Sequence, residues 1–464
     1  MRRTAVLLTT CLSFALALAG CSPQAPPPAA AAAPAAPVEG RPAADRCERH
    51  GITWHFDREH TIGTFCNGDP WVLGPVRVVA IDPASTEQAG RTLNGAMVDP
   101  DPSVLQHGYD SALFAGYGQF YRPELDAARA VAAGEPLLLR PGQSLVSVIS
   151  TPELADKVPQ LRLAAVLTCV DAVPAADAFR PPYCKAPAEH RRVRFRSEDL
   201  DRTALAAMRP VAGMPGARAF AAQFDKLWLD HFPSWVGRFA HPIDAMKDYG
   251  RDLCADVGSA ALLLNTDVPL ADREPLLLRF VQFGIDCHGV LRGGGRWSGN
   301  GGHASGRKFP ILFAGRLLGD DAMLAIGREF RSERTARDQK GKAWFGEDSQ
   351  TFFVRETAPG EFNWGFGGYT EEHRDLAEWG FAHVEQPDKD TVEWDANPYR
   401  RCCTACAWVG QCLAARAMGL VEAWDHDPFF AYVDRYLEVE RRPEWRAWVK
   451  WHATMWDAER PRLQ

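Results

Sequence analysis

Residues 243–260, IDAMKDYGRDLCADVGSA, carry the clearest helical pattern in the sequence. The side chains that form the pattern are Ile243, Met246, Tyr249, Leu253, Val257 and Ala260. Their spacing of three and four residues places them on one face of a helix. The stretch therefore predicts a helix with one buried face, and it indicates a helical second half of the chain.

Similar patterns on both sides predict further helices, at residues 220–231, 276–285, 309–318, 322–330, 401–419, 428–438 and 443–456. Two long stretches without a helical period interrupt them, at 293–307 and 347–398. Loops of this length are uncommon in a domain and usually carry function. The series predicts a mainly α fold, an α/α toroid (an incomplete barrel of helical hairpins) over 203–464, with an irregular α bundle as the alternative.

Residues 46–202 have a different pattern. Short apolar runs at 71–73, 76–81, 145–149 and 161–170 are separated by Gly, Pro, Asn and Asp. Many short strands with frequent turn signals are typical of a sandwich. We therefore expect a smaller, sandwich-like β-rich domain before the toroid.

The N-terminus has the layout of an export signal. Arg2 and Arg3 precede an apolar run at 5–19, and LAGC at 18–21 matches a bacterial lipobox. This predicts a signal peptide at 1–20, a lipid on Cys21 and a Pro/Ala-rich tether at 21–45. The expected location is the outer membrane, with the lipid as the membrane anchor. The alternative is an ordinary signal peptide with a chance cysteine.

The charge balance limits the partners. Lys and Arg number 52 against 59 Asp and Glu, a net charge of −7. This argues against general nucleic-acid binding, although a local basic cleft could still hold a polyanion. The chain also has 15 Trp and 24 Phe, which suit either sugar stacking or a large core.

The cysteines suggest local bridges in an oxidising compartment. Spacing makes Cys47–Cys66 and Cys169–Cys184 plausible pairs. The group at 402, 403 and 406 lies in an apolar helical run, without partners at zinc-finger spacing. It is interpreted as buried thiols or one disulfide, so neither a metal nor a cofactor is expected.

The glycine-rich stretch 293–307, GGGRWSGNGGHASGR, is the first candidate site loop. Its glycines allow close approach of a ligand, and the helix that follows would favour an anion at its N-terminal end. The polar and aromatic candidates are Trp297, Asn300, His303, Arg307 and Lys308. The alternative is a surface loop that caps a helix.

The second candidate loop, 347–398, and the helix entrance after it supply Tyr369, His373, Tyr399 and Arg401. Eliminative cleavage of a uronate polymer needs a group that neutralises the carboxylate, a base and an acid. Asn, Arg, His and Tyr can fill these roles. Alternatively, Tyr399 is a packing residue and Arg401 a surface charge.

Two phrases add a resemblance. GHASGRKFPIL at 302–312 and YRRCCTA at 399–405 resemble alginate and glucuronan lyases of the α/α-toroid type. The resemblance implies a polysaccharide lyase with Asn300 and Arg401 as groups that neutralise the carboxylate, His303 as base and Tyr399 as acid or acid/base. Tyr369 with His373 is the alternative pair. The chain departs from toroid lyases that carry a β domain after their helices, because its β-rich region comes first.

Two other functions remain open. A glycoside hydrolase would use two carboxylates, for which the candidates are Glu347, Asp348, Glu371, Glu372 and Asp395. An envelope lipoprotein could also bind a glycan without cleaving it.

Overall fold

The computed structural model describes residues 38, 40–151, 161–233, 237, 239–243, 250–299, 301–332, 344–363, 368–379, 403–439, 446 and 449–463. The predicted signal peptide, Cys21 and most of the predicted tether lie outside these residues. No described helix has the length and apolar character needed to cross a membrane.

Most of the strands come early in the chain. In chain order they are β1 Ala43–Arg49, β2 Ile52–Thr64, β3 Pro70–Leu73, β4 Val76–Asp82, β5 Thr86–Gln88, β6 Arg91–Leu93, β7 Ala96–Val98, β8 Leu137–Leu139, β9 Ser144–Ser150, β10 Leu161–Val170, β11 Thr351–Phe353, β12 Glu356–Ala358, β13 Glu361–Phe362 and β14 Ala377–Trp379. The four apolar runs predicted as strands correspond to β3, β4, β9 and β10, which confirms them.

Eight of these strands form one curled, mixed sheet, a half-barrel, so the predicted sandwich is wrong. Its order is β7-β9-β10-β3-β2-β4-β8, with β1 paired to β2. The long strand β2 produces the curl, because its first half pairs with β4 and its last three residues pair with β3. Alternating apolar runs predict strands, but they do not reveal whether the strands share one sheet.

The α-helices fall mainly in the second half. They are α1 Ala127–Ala132, α2 Ala217–Phe220, α3 Gly250–Leu264, α4 Leu270–Arg292, α5 Lys308–Leu318, α6 Asp321–Leu324, α7 Ile326–Glu329, α8 Gly346–Gln350, α9 Ala405–Ala417, α10 Val421–Trp424, α11 Asp427–Val439 and α12 Trp451–Glu459. The predictions at 276–285, 309–318 and 428–438 are confirmed by α4, α5 and α11. The helix predicted at 220–231 is wrong beyond a short 3-10 turn, Ala221–Phe224, and 322–330 forms two single turns.

The predicted mainly α toroid is wrong. The structure is 38% helical and 22% strand, and the largest sheet among the described residues is a half-barrel. A toroid pairs each helix with its neighbour in the chain. Helices α4 and α5 pack in that way, but α3 packs most extensively against the distant α9. An apolar stripe shows that a helix has a buried face without showing which helix covers it.

Two glycines explain the crossing of α3 and α9. A Cβ atom added to Gly410 would lie 2.7 Å from the backbone carbonyl group of Gly258. The two helices therefore touch backbone to backbone, which larger side chains would prevent. Both glycines stand inside helical patterns, where each lowers helix propensity, and close packing accounts for their presence.

One apolar core joins the sheet to the helices. It includes Met97 and Val146 from the strands together with Phe280 and Phe309 from α4 and α5. The buried guanidinium of Arg180 adds a polar link. It donates to Asp69 at 2.8 Å and to Asp286 of α4 at 2.6 Å. The predicted division into domains at 202/203 stays a prediction, while the core itself continues across that point.

The two predicted local disulfides do not form. Cys47, Cys66, Cys169 and Cys184 are all free thiols. The two members of each predicted pair pack in different clusters. Cys47 and Cys169 belong to the apolar cluster of the sheet, whereas Cys184 belongs to the main core and Cys66 packs against that core. Cys403 is disulfide-bonded. Spacing along the chain could not reveal this separation.

Candidate functional site

The two stretches predicted as site loops contact each other. The backbone N–H of Gly299 donates to Ser349 Oγ at 3.0 Å, and Gln350 Nε2 donates to the carbonyl of Gly301 at 3.0 Å. Gly306 N–H donates to Glu347 Oε2 at 3.3 Å. The glycine-rich segment 293–307 is therefore fixed against α8 at the start of the second stretch.

Glycine is required for this contact at two positions. A Cβ on Gly299 would lie 2.5 Å from the carbonyl oxygen of Gly346, and one on Gly346 would lie 2.7 Å from the carbonyl carbon of Ala304. Any side chain at either position would separate the two segments. The glycines thus permit close backbone approach, as predicted, although the partner here is another part of the chain.

Arg307 is buried and paired inside the protein. Its Nη2 donates to Asp230 Oδ1 at 2.7 Å, and its Nη1 donates to the carbonyl of Ser305 at 2.7 Å. Burial alone would raise the pKa of Asp230, but Arg307 and His241 outweigh it and lower that pKa to about 2. Asp230 is therefore ionised at neutral pH and already neutralises the cation predicted to bind substrate.

Lys308 is equally enclosed. Its ammonium contacts Asp348 Oδ2 and donates to the carbonyl of Trp424 at 2.5 Å. Trp424 Nε1 donates to the other Asp348 oxygen at 2.9 Å. With its charge compensated and its side chain inaccessible, Lys308 holds α5 against α8 and the residues after α9.

Trp297 is only 4% exposed, so its ring does not form an open sugar platform. It stacks on Phe345 with ring centroids 6.0 Å apart, and its Nε1 donates to the carbonyl of Asp230 at 3.1 Å. These contacts fix Trp297, and with it the glycine-rich segment, to Phe345 and Asp230.

Glu347 has an unusual protonation equilibrium. Burial first, and the adjacent Asp348 second, raise its pKa from 4.5 to about 7. Its Oε1 atom is buried without a hydrogen-bond partner among the described residues. A carboxyl group that is half protonated near neutral pH can act as a proton donor or acceptor, as active sites often require.

An open pocket lies beside Asp348, with about 660 Å³ of empty space that includes open solvent. It is lined by Ser332, Asp348, Thr351, Phe352, Phe353, Arg355, Thr357, Asn363, His426 and Pro428. Asn363 is 2% exposed, and its amide nitrogen lacks a hydrogen-bond partner among the described residues. An unsatisfied buried donor is costly and often marks a place for a ligand or water.

His426 and Arg355 give this pocket positive and titratable groups. His426 Nε2 lies 2.9 Å from Thr351 Oγ1 and 3.1 Å from the Thr351 carbonyl. Arg355 lies over the Phe353 ring at 5.2 Å and is paired with Asp375, with more than half of its side chain exposed. The pocket thus combines an amide, a guanidinium and an imidazole over an aromatic floor.

The remaining predicted catalytic residues are placed as follows. Tyr369 packs edge-on against Phe352 at 6.1 Å, and His373 lies 5.7 Å from Tyr369 between ring centroids. His373 Nδ1 also accepts the backbone N–H of Thr370 at 3.1 Å, in a helix cap. His303 is half-buried in the glycine-rich segment. Asn300, Tyr399 and Arg401 lie outside the described residues.

Sequence reasoning missed Asp230, His241 and His426. Asp230 lies in the stretch 220–231 that is predicted as a helix, and nothing in the sequence distinguishes it from a residue on a solvated or core face. Asn363 and Arg355 fall in the second predicted loop, 347–398, so the length of that loop already indicated a site there. Among the described residues, no group of three or more His, Cys, Asp or Glu is arranged to hold a metal ion.

Comparison of the chain with protein-family models, with curated proteins and with solved structures found no match. The geometry of the described residues therefore carries the functional argument.

Proposed function

We propose that this protein is an exported outer-membrane lipoprotein, anchored through Cys21, that cleaves an acidic, uronate-containing polysaccharide by β-elimination. Its partners are the polysaccharide and, through the lipid, the membrane, and nucleic acid is not among them. The pocket beside Asp348 is the observation that carries the proposal.

The pocket supports an acidic sugar because its exposed cation and unsatisfied donor are both suited to a carboxylate. Arg355 offers a charged, forked donor at the mouth, more than half exposed although it also pairs with the exposed Asp375, and Asn363 offers a buried N–H group. Binding of a uronate carboxylate to these groups lowers the pKa of the neighbouring C5 proton, which is the difficult step of the elimination. Phe352 and Phe353 provide apolar contact for the sugar ring.

The position of the pocket connects it to the glycine-rich segment. Asp348 lines the pocket and holds Lys308, the residue that follows this segment. Tyr369 packs edge-on against Phe352, which lines the pocket. His303, predicted as the base, belongs to the glycine-rich segment, which contacts α8. Tyr369, predicted as the alternative acid, contacts Phe352 of β11, the strand that follows α8.

The test is an assay of the full-length protein on alginate, glucuronan, heparinoids and pectin. Elimination leaves an unsaturated uronate, which is followed by its ultraviolet absorbance. Wild type is expected to raise the absorbance on at least one polymer, and Asn363→Asp should lower kcat/KM about tenfold or more, because the new carboxylate repels that of the substrate.

Asn94→Asp is the matched control, because Asn94 also has a positive φ, 59° against 48° for Asn363, but lies at the turn before β7. It should keep wild-type turnover. Absence of an unsaturated product from every polymer contradicts elimination, and full activity of Asn363→Asp would show that cleavage occurs elsewhere.

A second candidate, glycoside hydrolysis, is favoured by Glu347 and Asp348. The pKa of Glu347 is raised to about 7, while Asp348 faces the ammonium of Lys308, and a hydrolase needs two carboxyl groups in such different surroundings. Hydrolysis would produce new reducing ends without the ultraviolet signal, so the same incubation distinguishes the two reactions.

A further inference from the structure

His426 lines the pocket beside Asp348, the place proposed for the uronate. It lies in the connection between α10 and α11. The Trp424 ring stacks on Phe429 with ring centroids 4.6 Å apart, and the Phe429 N–H donates to the His426 carbonyl at 3.2 Å. These contacts on both sides of the connection fix the backbone that carries the imidazole.

The surroundings of His426 Nε2 determine which ring nitrogen carries a proton. Nε2 lies 3.1 Å from the Thr351 carbonyl oxygen, which can only accept a hydrogen bond. It also lies 2.9 Å from Thr351 Oγ1, whose own proton is donated to the Glu347 carbonyl at 2.9 Å. Both oxygens therefore accept from the Nε2–H group, and in the neutral ring Nδ1 bears the lone pair.

This arrangement is that of an imidazole prepared to accept a proton. In histidines that act as general bases, a partner on one nitrogen holds the ring and its tautomer, and the other nitrogen takes the proton. Here the partner is Thr351, which also lines the pocket. Thr351 is the first residue of β11 and pairs with Trp379 of β14, so the partner is fixed as well.

The other groups that line the described part of the pocket are less suited to this role. Asp348 already accepts from the Lys308 ammonium and, at 2.9 Å, from Trp424 Nε1. The guanidinium of Arg355 stays protonated, and amide and hydroxyl groups are too weakly basic to take a proton from carbon unaided. Within this lining, His426 is therefore the residue suited to exchange a proton with a bound sugar.

The two histidines predicted from the sequence as site residues do not line this pocket. His303 lies in the glycine-rich segment, and His373 lies in the short 3-10 helix at 371–373. His426 instead lines the same space as Arg355 and Asn363. The groups suited to a carboxylate and the group suited to a proton therefore border one space.

We propose that His426, held by Thr351, is the base that removes the C5 proton of the uronate residue, in place of His303. The proposal rests on the proposed function. The C5–H bond breaks and its proton goes to Nδ1 of His426. The electron pair of that bond forms the double bond between C4 and C5 as the C4–O bond breaks. Water protonates the departing oxygen, and the hydroxide that remains takes the proton back from Nδ1.

The variant His426→Gln tests this role on the polymers named above. Its kcat should fall about 100-fold or more with little change in KM, since general-base catalysis contributes on this scale and Arg355 and Asn363 still bind the carboxylate. His55→Gln is the matched control. His55 is also half-buried, with its Nε2 2.8 Å from Asp82 Oδ2, but it lies in β2 and should keep wild-type kcat. A His426→Gln protein that has a wild-type circular dichroism spectrum and retains full kcat overturns the proposal.

Chemical rescue separates a catalytic role from a structural one. Free imidazole can enter the space that the side chain leaves in His426→Ala, because the pocket is open to solvent. The rate of this variant should rise with the concentration of added imidazole. A folded His426→Ala protein whose low rate does not respond to imidazole would assign His426 to the structure of the pocket, and the proposal would be wrong.

A second measurement does not depend on cleavage. In a nitrogen NMR spectrum of protein labelled in its histidines, assigned by comparison with His426→Gln, His426 should carry a proton on Nε2 and none on Nδ1 at pH 8. Addition of sodium glucuronate should shift the Nδ1 signal of His426 and leave the signals of His55 in place. A proton on Nδ1, or an Nδ1 signal that does not respond to glucuronate, overturns the proposal whatever the polymer assay shows.

The two kinds of measurement separate the possible failures. If the NMR result is as expected but wild type yields no unsaturated product from any polymer, the proposed elimination is wrong, and the role of His426 in it falls too.

Discussion

Glu347 is a fully buried carboxyl group that the fold keeps partly protonated near neutral pH. Burial and the adjacent carboxylate of Asp348 raise its pKa, while the backbone N–H groups of Glu347 and Gly306 and the ammonium of Lys308 offset this only in part. The unfolded chain would ionise the same group near pH 4.5. The free energy of unfolding therefore falls as the pH rises from 4.5 to about 7, by up to about 3 kcal/mol.

Replacing Glu347 with Gln should remove this pH dependence. Both states of wild type are protonated at Glu347 below pH 4.5, so the loss of stability develops between pH 4.5 and about 7 and persists above it. The free energy of unfolding, measured with urea at pH 4.5 and pH 8, should fall less with pH in Glu347→Gln than in wild type.

The exposed Glu422 supplies the control, because Glu422→Gln should leave the wild-type pH dependence unchanged. An equal loss of stability with pH in wild type and Glu347→Gln would mean that another group causes it.

At the level of residues, the sequence identified charges but not their partners. Arg307 and Lys308 were predicted as substrate-binding cations from their place before a helix. They are instead buried against Asp230 and Asp348, which lie 77 and 40 residues away in the chain. Only the fold brings such partners together. A cation in a glycine-rich segment can therefore form a buried ion pair that stabilises the protein, as readily as it can bind a substrate.

At the level of elements, the crossing of α3 and α9 depends on Gly258 and Gly410. Gly410→Ala should destabilise the protein by about 1 to 3 kcal/mol, because the methyl group would overlap the backbone of Gly258 and force the helices apart. Urea unfolding followed by circular dichroism measures the loss.

Gly116→Ala is the control for this change, since a Cβ there meets no atom within 4 Å. It should leave the unfolding midpoint near that of wild type. A stable Gly410→Ala protein would show that the two helices can separate without cost.

Helices and strands with strong periodicity could be predicted from the sequence, and their arrangement could not. The runs at 161–170 and 309–318 match β10 and α5 closely because each carries many apolar residues at one period. At 220–231 the period was helical, yet Asp230 and His231 turn inward to polar partners. Of the described residues in 243–260, Gly250–Ala260 lie in α3, whereas Ile243 is 48% exposed in a turn.

At the level of the whole molecule, Arg180 ties the half-barrel to α4. Arg180→Met would leave the carboxylates of Asp69 and Asp286 without their buried cation, and we expect a loss of about 3 to 5 kcal/mol at pH 8. The loss should be smaller at pH 5. Burial already raises the pKa of Asp286 to about 6, and without Arg180 it would rise further and leave the group neutral.

Urea unfolding of wild type and Arg180→Met at the two pH values checks this. Arg196→Met, which removes an exposed ion pair with Asp177, should leave the free energy of unfolding close to that of wild type at either pH. A loss that is the same at pH 5 and pH 8 would argue against charge burial as its cause.

The backbone contact of Gly299 with Gly346 bears on how a polymer could reach the site. In many enzymes a mobile lid closes over the substrate, and its opening limits turnover. Here the described part of the glycine-rich segment packs directly against α8, and it cannot move away without breaking that contact. If the proposed polymer binds beside this segment, it meets a wall that does not move, so any closure over the ligand would have to come from another part of the chain.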